Sequence, residues 1–416
     1  MGQENYDSVL YGLKTLYTRE YIDDAVYDEQ PFFSIIEQNT EMQAGGRKWY
    51  QPIGIELPQG RSHTWAKSKA NATGRKGVGF EFDYFDDFQT HLIDRKTLLR
   101  LQGGGDKSYF DSEVEFIDAA AKNLVRSLCV DLFRDGSGAR GQVGAIDVGN
   151  KIITLKVLAD ITNFAQGQTL TAAQAKTTGN ERNGAIPIMV ITAVNEDAGQ
   201  FTVDNLITGL LVDDWLFVEG DRNLAMPGLA AWIPDAAPTP ATAAFGGVQR
   251  HVNVVRLAGS RVGAKNYTVS EAARKLMTKI DRAGGKSDLL VLNPTYYEQL
   301  TLEIASRGTV NYVTVPGQKA NIFLEGFTIQ GPKKKVTVIS DFNCPEQRGY
   351  MLKKDDWFLA CLGRKIPDIW DLDGNFMAWD VGSPGYEVRM DYYAVPICKD
   401  PRNQGVLKFD STTDAT

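Results

Sequence analysis

The chain has 416 residues, 40 of them glycine, and a formal net charge of −7. That balance gives no electrostatic drive toward nucleic acid, and no apolar run approaches the roughly 20 residues of a bilayer-spanning helix. The opening MGQENYDSVL carries acids where a signal peptide carries bases, and Tyr6 stands where a myristoylation signal needs Ser or Thr.

Residues 1–44 mix polar and aromatic side chains, with modest helical tendency around Ser8 to Tyr21. Nothing there is able to fold alone, so the segment reads as an N-terminal arm lying on other surfaces. Residues 45–95 read as a long β-hairpin. RKWYQPIGI is one strand, and in GFEFDYF the aromatics Phe80, Phe82 and Tyr84 alternate with Glu81 and Asp83. Between them, Arg61, Lys67, Lys69, Arg75 and Lys76 occur with no acid, whereas Glu81 to Asp87 holds four acids. A hairpin by itself is marginal in water. The charge split therefore suggests a basic tip that docks on an acidic part of an identical neighbour; a solvated flexible loop is the competing reading. The sequon Asn71-Ala72-Thr73 lies in this stretch and is not expected to meet a glycosylation enzyme.

The strongest helical pattern runs over 108–135, where Phe110, Val114, Ile117, Ala121, Leu124, Leu128 and Leu132 recur at three- and four-residue spacing. Ser108 is the expected N-cap and Gly136 the stop. With one narrow apolar stripe and a length of roughly 40 Å, the helix is expected to lie across a sheet as a strut. Residues 140–228 change character: KIITLKVL, IPIMVITAV, GQFTVDN and DDWLFVEG are short β-rich runs separated by turn signals. A small antiparallel barrel or sandwich is expected, inserted as a self-contained unit between GSGARG and MPGLAAWIP. Trp215 in this block is read as core rather than as a sugar-stacking platform, which leaves a hydrolase or carbohydrate-binding role for the unit as the weaker hypothesis.

A small-residue loop (236–250) precedes a helix at 268–283, whose Thr268 and Glu271 form a capping box ahead of the stripe Val269, Ala273, Leu276, Ile280. LLVLNPTYYEQL (289–300) follows. Leu289 to Leu292 is an unalternating apolar strand, Asn293 caps a helix and Pro294 fits its first turn, with Tyr297, Leu300 and Ile304 facing the core. No glycine follows the strand to admit a phosphate, so the junction serves packing. After residue 310 the chain is β-rich again.

Signals for chemistry are weak. His63, His91 and His251 are far apart in sequence, and neither HExxH nor GxSxG occurs. QGGGDKS before the long helix fails as a phosphate loop, because Asp106 stands where glycine must precede the lysine. Cys129, Cys344, Cys361 and Cys398 form no CxxC pair and read as free thiols. The pairs Asp86-Asp87, Asp213-Asp214 and Asp355-Asp356 read as solvated turns. No catalytic, cofactor-binding or metal-ligating residue is assigned, and the chain is not expected to be an enzyme.

The order of parts resembles the major capsid proteins of tailed bacteriophages, with the Hong Kong 97-type fold. In that resemblance, residues 1–44 match the N-terminal arm, 45–95 the extended loop, and 96–139 a peripheral domain built on the spine helix. An inserted β-domain at 140–228 follows, then an axial domain at 229–350, and 351–416 return as strands to the peripheral domain. LLVLNPTYYEQL resembles the axial strand and helix, and Asp135-Gly136-Ser137-Gly138 with Gly228-Leu229 resembles the family's DG(T/S)G–GL junction. The resemblance implies an α+β fold and self-assembly into hexamers and pentamers around double-stranded DNA, without sequence-specific binding. It also implies a virion location after assembly in a bacterial cytoplasm, with no membrane contact. A separate scaffolding protein, a portal and a decoration protein are the further partners implied. An encapsulin-like nanocompartment holding a cargo enzyme is the alternative within the same fold. Arg61, Lys67, Lys69, Arg75 and Lys76 are the inter-subunit contact candidates.

Overall fold

A computed structural model describes residues 30–40, 48–94, 106–242, 244–306, 312–314, 325–331, 335–363, 366, 368–369, 377–379 and 385–412. The first 29 residues of the expected arm, Gly45-Gly46 and Gly103 to Gly105 of the rejected phosphate loop lie outside the described residues.

The described end of the arm rests on its own chain. Helix α1 (Pro31–Ile35) buries Phe32 and Phe33, and the Phe32 N–H donates to Asp341 Oδ2 at 3.0 Å. Strand β1 (Glu37–Asn39) then pairs in parallel with residues 358–360. The hairpin follows as β2 (Trp49–Glu56), a short helix α2 (Trp65–Ala70) and β3 (Lys76–Phe82). Next come β4 (Phe85–Asp94) and the long helix α3 (Asp106–Phe133, 28 residues).

Two expectations for α3 are corrected. The helix starts at Asp106, so Ser108 lies inside it and is not its cap. Its C-terminal half is also buried more widely than one stripe, with Leu128, Cys129, Val130, Asp131, Leu132 and Phe133 all buried in succession. β4, a helix at Leu229–Trp232 and a strand at Gly385–Cys398 all pack against α3, so the helix ends inside the molecule rather than on its surface.

Six strands then close a small barrel: β5 (Ala139–Asp147), β6 (Ile152–Leu155), β7 (Thr169–Ala173), β8 (Met189–Asn195), β9 (Gln200–Val203) and β10 (Trp215–Val218), in the order β10-β5-β6-β9-β8-β7. Its core is its own, built on Val143, Ile153, Leu155, Leu170, Phe201 and Leu216. The glycines at its junction are there because backbones nearly touch. Gly138 has φ +78°, and a Cβ on it would stand 2.4 Å from Asp221 O; a Cβ on Gly228 would stand 2.2 Å from Asp131 O. The chain enters and leaves side by side, with Asn223 N–H donating to Ser137 O at 2.9 Å.

Beyond the barrel, α4 (Leu229–Trp232), the hairpin β11 (Ala244–Phe245) and β12 (Val248–Gln249), and α5 (Val254–Ala258) lead into β13 (Ser260–Gly263). Helix α6 (Val269–Arg282) carries the expected reciprocal capping box of Thr268 and Glu271. β14 (Leu289–Leu292) is buried along its whole length. Asn293 Oδ1 accepts from Thr295 N–H at 3.1 Å at the head of α7 (Pro294–Ser306), and its Nδ2 donates to Cys344 O at 2.8 Å. The remaining strands are β15 (Tyr312–Thr314), β16 (Glu325–Gln330), β17 (Lys335–Ser340), β18 (Arg348–Leu352), β19 (Trp357–Cys361), β20 (Asp368–Ile369), β21 (Met377–Trp379), β22 (Gly385–Cys398) and β23 (Gly405–Lys408).

Two open sheets result. One has seven strands in the order β13-β23-β18-β14-β17-β16-β15, and its core with α6 and α7 includes Leu276, Leu290 and Leu300. The other joins β1, β19, β22 and β20, with β21 and β4 also paired to β22. A second core ties this sheet to α3, α4 and the hairpin stem. Among the described residues, no helix is long and apolar enough to cross a membrane.

Candidate assembly interface

The hairpin is two regions with opposite physics. In the stem, β2 and β3 pair from Trp49–Phe82 to Glu56–Lys76, and strand alternation sends Ile53, Ile55, Phe80 and Phe82 into the core. Phe80 and Phe82 lie 5.0 and 5.2 Å from the Trp232 ring, centroid to centroid. Arg256 Nη1 donates to Gly54 O and Ile55 O at 3.1 and 2.5 Å. The stem therefore lies on its own chain, anchored by apolar burial worth about 1.5–3 kcal/mol per large side chain.

Beyond the stem, from Leu57 to Gly74, no residue is buried. The tip is nevertheless internally fastened. Thr73 N–H donates to Gln59 O at 3.0 Å and Gln59 N–H to Thr73 Oγ1 at 2.9 Å, which closes a neck. Gly60 has φ +134°, and a Cβ there would stand 2.9 Å from Ala72 Cα, so glycine permits the close approach of the neck. Past the neck, α2 presents Trp65 at 81% exposure. A Trp side chain buries roughly 150–250 Å² when packed, so at about 25 cal/mol/Å² several kcal/mol of burial remain unrealised in the single chain.

The five cations predicted as contacts divide between tip and stem. Arg61, Lys67 and Lys69 are exposed on the tip with no ion-pair partner among the described residues. Arg75 turns back, its Nη2 only 2.7 Å from where a Cβ on Gly54 would stand. Lys76 pairs with Glu56 at 3.3 Å, both largely exposed.

A second feature lies where β4, α3 and the barrel's exit segment meet. Arg140 is inserted between Asp131 and Asp221, 3.3 Å from each, and donates to Ser127 Oγ at 2.8 Å. Asp131 is 5% exposed and its Oδ1 accepts no hydrogen bond. Burial pushes its carboxyl up to about 7, against the pull of Arg140. Burial, with help from Asp221, pushes the Asp87 carboxyl up to about 6. Beside this cluster opens a cavity of about 230 Å³ that five acids line and no cation does: Asp86, Asp87, Asp131, Glu219 and Asp221.

The reading of the adjacent acid pairs as solvated turns is therefore corrected. In each pair the first residue is exposed and the second turned inward. Asp87 faces the cluster just described. Asp214, 2% exposed, receives Arg182 through Nε and Nη2 at 2.9 and 2.7 Å. Asp356 accepts from Asn403 Nδ2 and Lys353 Nζ at 2.5 and 2.9 Å. Asp86-Asp87 lies on β4, where neighbouring side chains point apart; Asp355-Asp356 sits in a 3-10 turn and Asp213 has φ +70°, so in those two pairs a turn divides the doublet between core and solvent.

His63 and His251 are exposed, and the His91 side chain is outside the described residues. All four cysteines are free and buried. Trp215 is half-buried in the barrel wall with Lys176 Nζ 4.4 Å from its ring centroid. Among the described residues, no group of three or more His, Cys, Asp or Glu is arranged to hold a metal. Charge counting found the tip but passed over Trp65, a lone aromatic inside a polar run; it also passed over Asp131, an acid set within an apolar helical stretch.

No protein-family model matches the chain, and no curated protein does. Among solved structures, a chain of the cyanophage A-1(L) capsid is 11% identical and superposes with a TM-score of 0.53 over 93% of this chain and 94% of its own. An encapsulin complex from Synechococcus elongatus is 8% identical, with a TM-score of 0.45 over 92% and 89%. The Mycobacterium phage Ogopogo chain is 10% identical, with a TM-score of 0.44 over 91% and 92%. The chain thus has the α+β fold of the cyanophage A-1(L) capsid, the Hong Kong 97 type that the order of its parts resembles.

Proposed function

We propose that this chain is the major capsid protein of a tailed phage, assembling as hexamers and pentamers into an icosahedral shell around double-stranded DNA. The observation that carries this reading is the hairpin: a capsid fold whose stem is anchored in its own chain and whose tip, Leu57 to Gly74, is internally closed without one buried residue. Such a limb finds its packing only on another molecule. In this reading residues 45–95 form the extended loop, α3 the spine of the peripheral domain, 140–228 the inserted domain and 229–350 the axial domain. The assembly takes place in a bacterial cytoplasm with a separate scaffolding protein and a portal, and a decoration protein is a further partner of the finished shell. No catalytic step is assigned. The acidic balance suits a container that must release its genome, since strong phosphate contacts would retain it.

Electron microscopy of the purified protein, alone and co-expressed with a scaffold, tests the proposal. Closed shells or hexameric rings are expected. A species that stays monomeric under every assembly condition rules the function out. Particles that enclose an enzyme and no genome would assign the nanocompartment instead.

A further inference from the structure

We propose that Trp65 of one copy seats in the acid-lined cavity between β4 and the barrel's exit segment of a second copy, with Arg61, Lys67 and Lys69 meeting the carboxylates at its mouth; this rests on the shell-forming reading above. Three observations converge. The donor is a preformed tip whose largest side chain is 81% exposed and whose basic residues have no acid among them between Arg61 and Lys76. The acceptor is a cavity of about 230 Å³, and a cavity of about 150 Å³ already admits a benzene ring. Its rim is apolar: Phe88 is 55% and Leu224 66% exposed, with Met226 buried behind them. Arg140 already pairs with two of the lining acids, Asp131 and Asp221; Asp86 and Glu219 line the cavity as exposed carboxylates and carry the charge opposite to the tip.

The pairing has the anatomy of an interface hot spot, an aromatic anchor in a pocket ringed by complementary polar groups. The anchor sits on a limb and the pocket on the body, so the contact joins different surfaces of two copies. Such head-to-tail contacts build rings.

The test leaves the tryptophan in place. Ala66→Cys and Leu224→Cys, both at exposed positions, are made in separate full-length chains, mixed under assembly conditions and mildly oxidised. The four native thiols are buried, so a disulfide reports the engineered pair. A dimer joined between the two variants is expected. Mixed chains that assemble without this crosslink, or that join only like to like, overturn the proposal. As a second measurement, Trp65→Ala should raise the concentration needed for assembly at least about tenfold with the subunit's melting unchanged, while Trp65→Phe lies between. An unchanged assembly concentration for Trp65→Ala also overturns it. Wild-type shells without the crosslink refute this contact and leave the capsid function standing; wild-type protein that never assembles refutes the function itself.

Discussion

Asp87 and Asp131 set the sign of a pH response in the single subunit. Burial raises Asp87 from 3.8 to about 6 and Asp131 from 3.8 to about 7. Between the unfolded and folded values the native chain holds protons that the unfolded chain releases, so stability falls as pH rises through that window. It is highest, for these two groups, below about pH 4. Asp87→Asn removes one of the two contributions while keeping an acceptor for Tyr392 Oη, now 3.5 Å from Oδ2. A shift of one pKa unit corresponds to about 1.4 kcal/mol. The variant should therefore lose on the order of 3 kcal/mol less stability than wild type between pH 4 and pH 8, in urea unfolding of unassembled subunits. Equal pH slopes in the two proteins would show that Asp87 is not held protonated by burial. Asp131→Asn is the less clean variant, because it also leaves Arg140 with one carboxylate fewer.

The barrel is the element most separable from the rest. Its core is internal, its sheet is closed, and its two ends leave together at the Ser137–Asn223 hydrogen bond. A segment spanning 138–224 should fold alone with a single cooperative urea transition followed by circular dichroism; a gradual, non-cooperative loss of signal would mean that the barrel needs α3 to form. What could be seen beforehand at this scale follows the range of the forces involved. The Thr268–Glu271 capping box and the Leu289–Asn293–Pro294 strand-to-helix turn are set by residues within five positions of one another, and both were legible. The β-rich runs of 140–228 announced a small β unit, while the choice of barrel over sandwich depends on β7 meeting β10 across 42 residues of chain. The full burial of the end of α3 is set by β4, α4 and β22, which arrive from three other parts of the sequence, so its own periodicity showed only one stripe. The inward turn of Asp87, Asp214 and Asp356 is likewise decided by what packs against each segment, which composition does not carry.

At the scale of the whole molecule, the hairpin is the projecting limb among the described residues, and its charge is not spread evenly along it. Reversing Arg61, Lys67 and Lys69 together to Glu should prevent assembly, measured by sedimentation and electron microscopy. The subunit's own stability should move by no more than about 0.5 kcal/mol, as exposed substitutions do, because none of the three touches the core. Reversing Arg75 and Lys76 instead should leave assembly much closer to wild type. Those two side chains are turned onto the stem, one over Gly54 and the other onto Glu56. If the tip docks through charge, wild-type assembly should weaken as salt rises, since the screening length falls from about 10 Å at 0.1 M to about 3 Å at 1 M, and the weakening should be steeper than for a tip with its three projecting cations neutralised. Normal shells from the triple reversal would remove charge from the contact and leave the exposed indole as the tip's sole anchor. The reverse outcome, loss of assembly from Arg75 and Lys76 but not from the three at the tip, would move the contact down onto the stem.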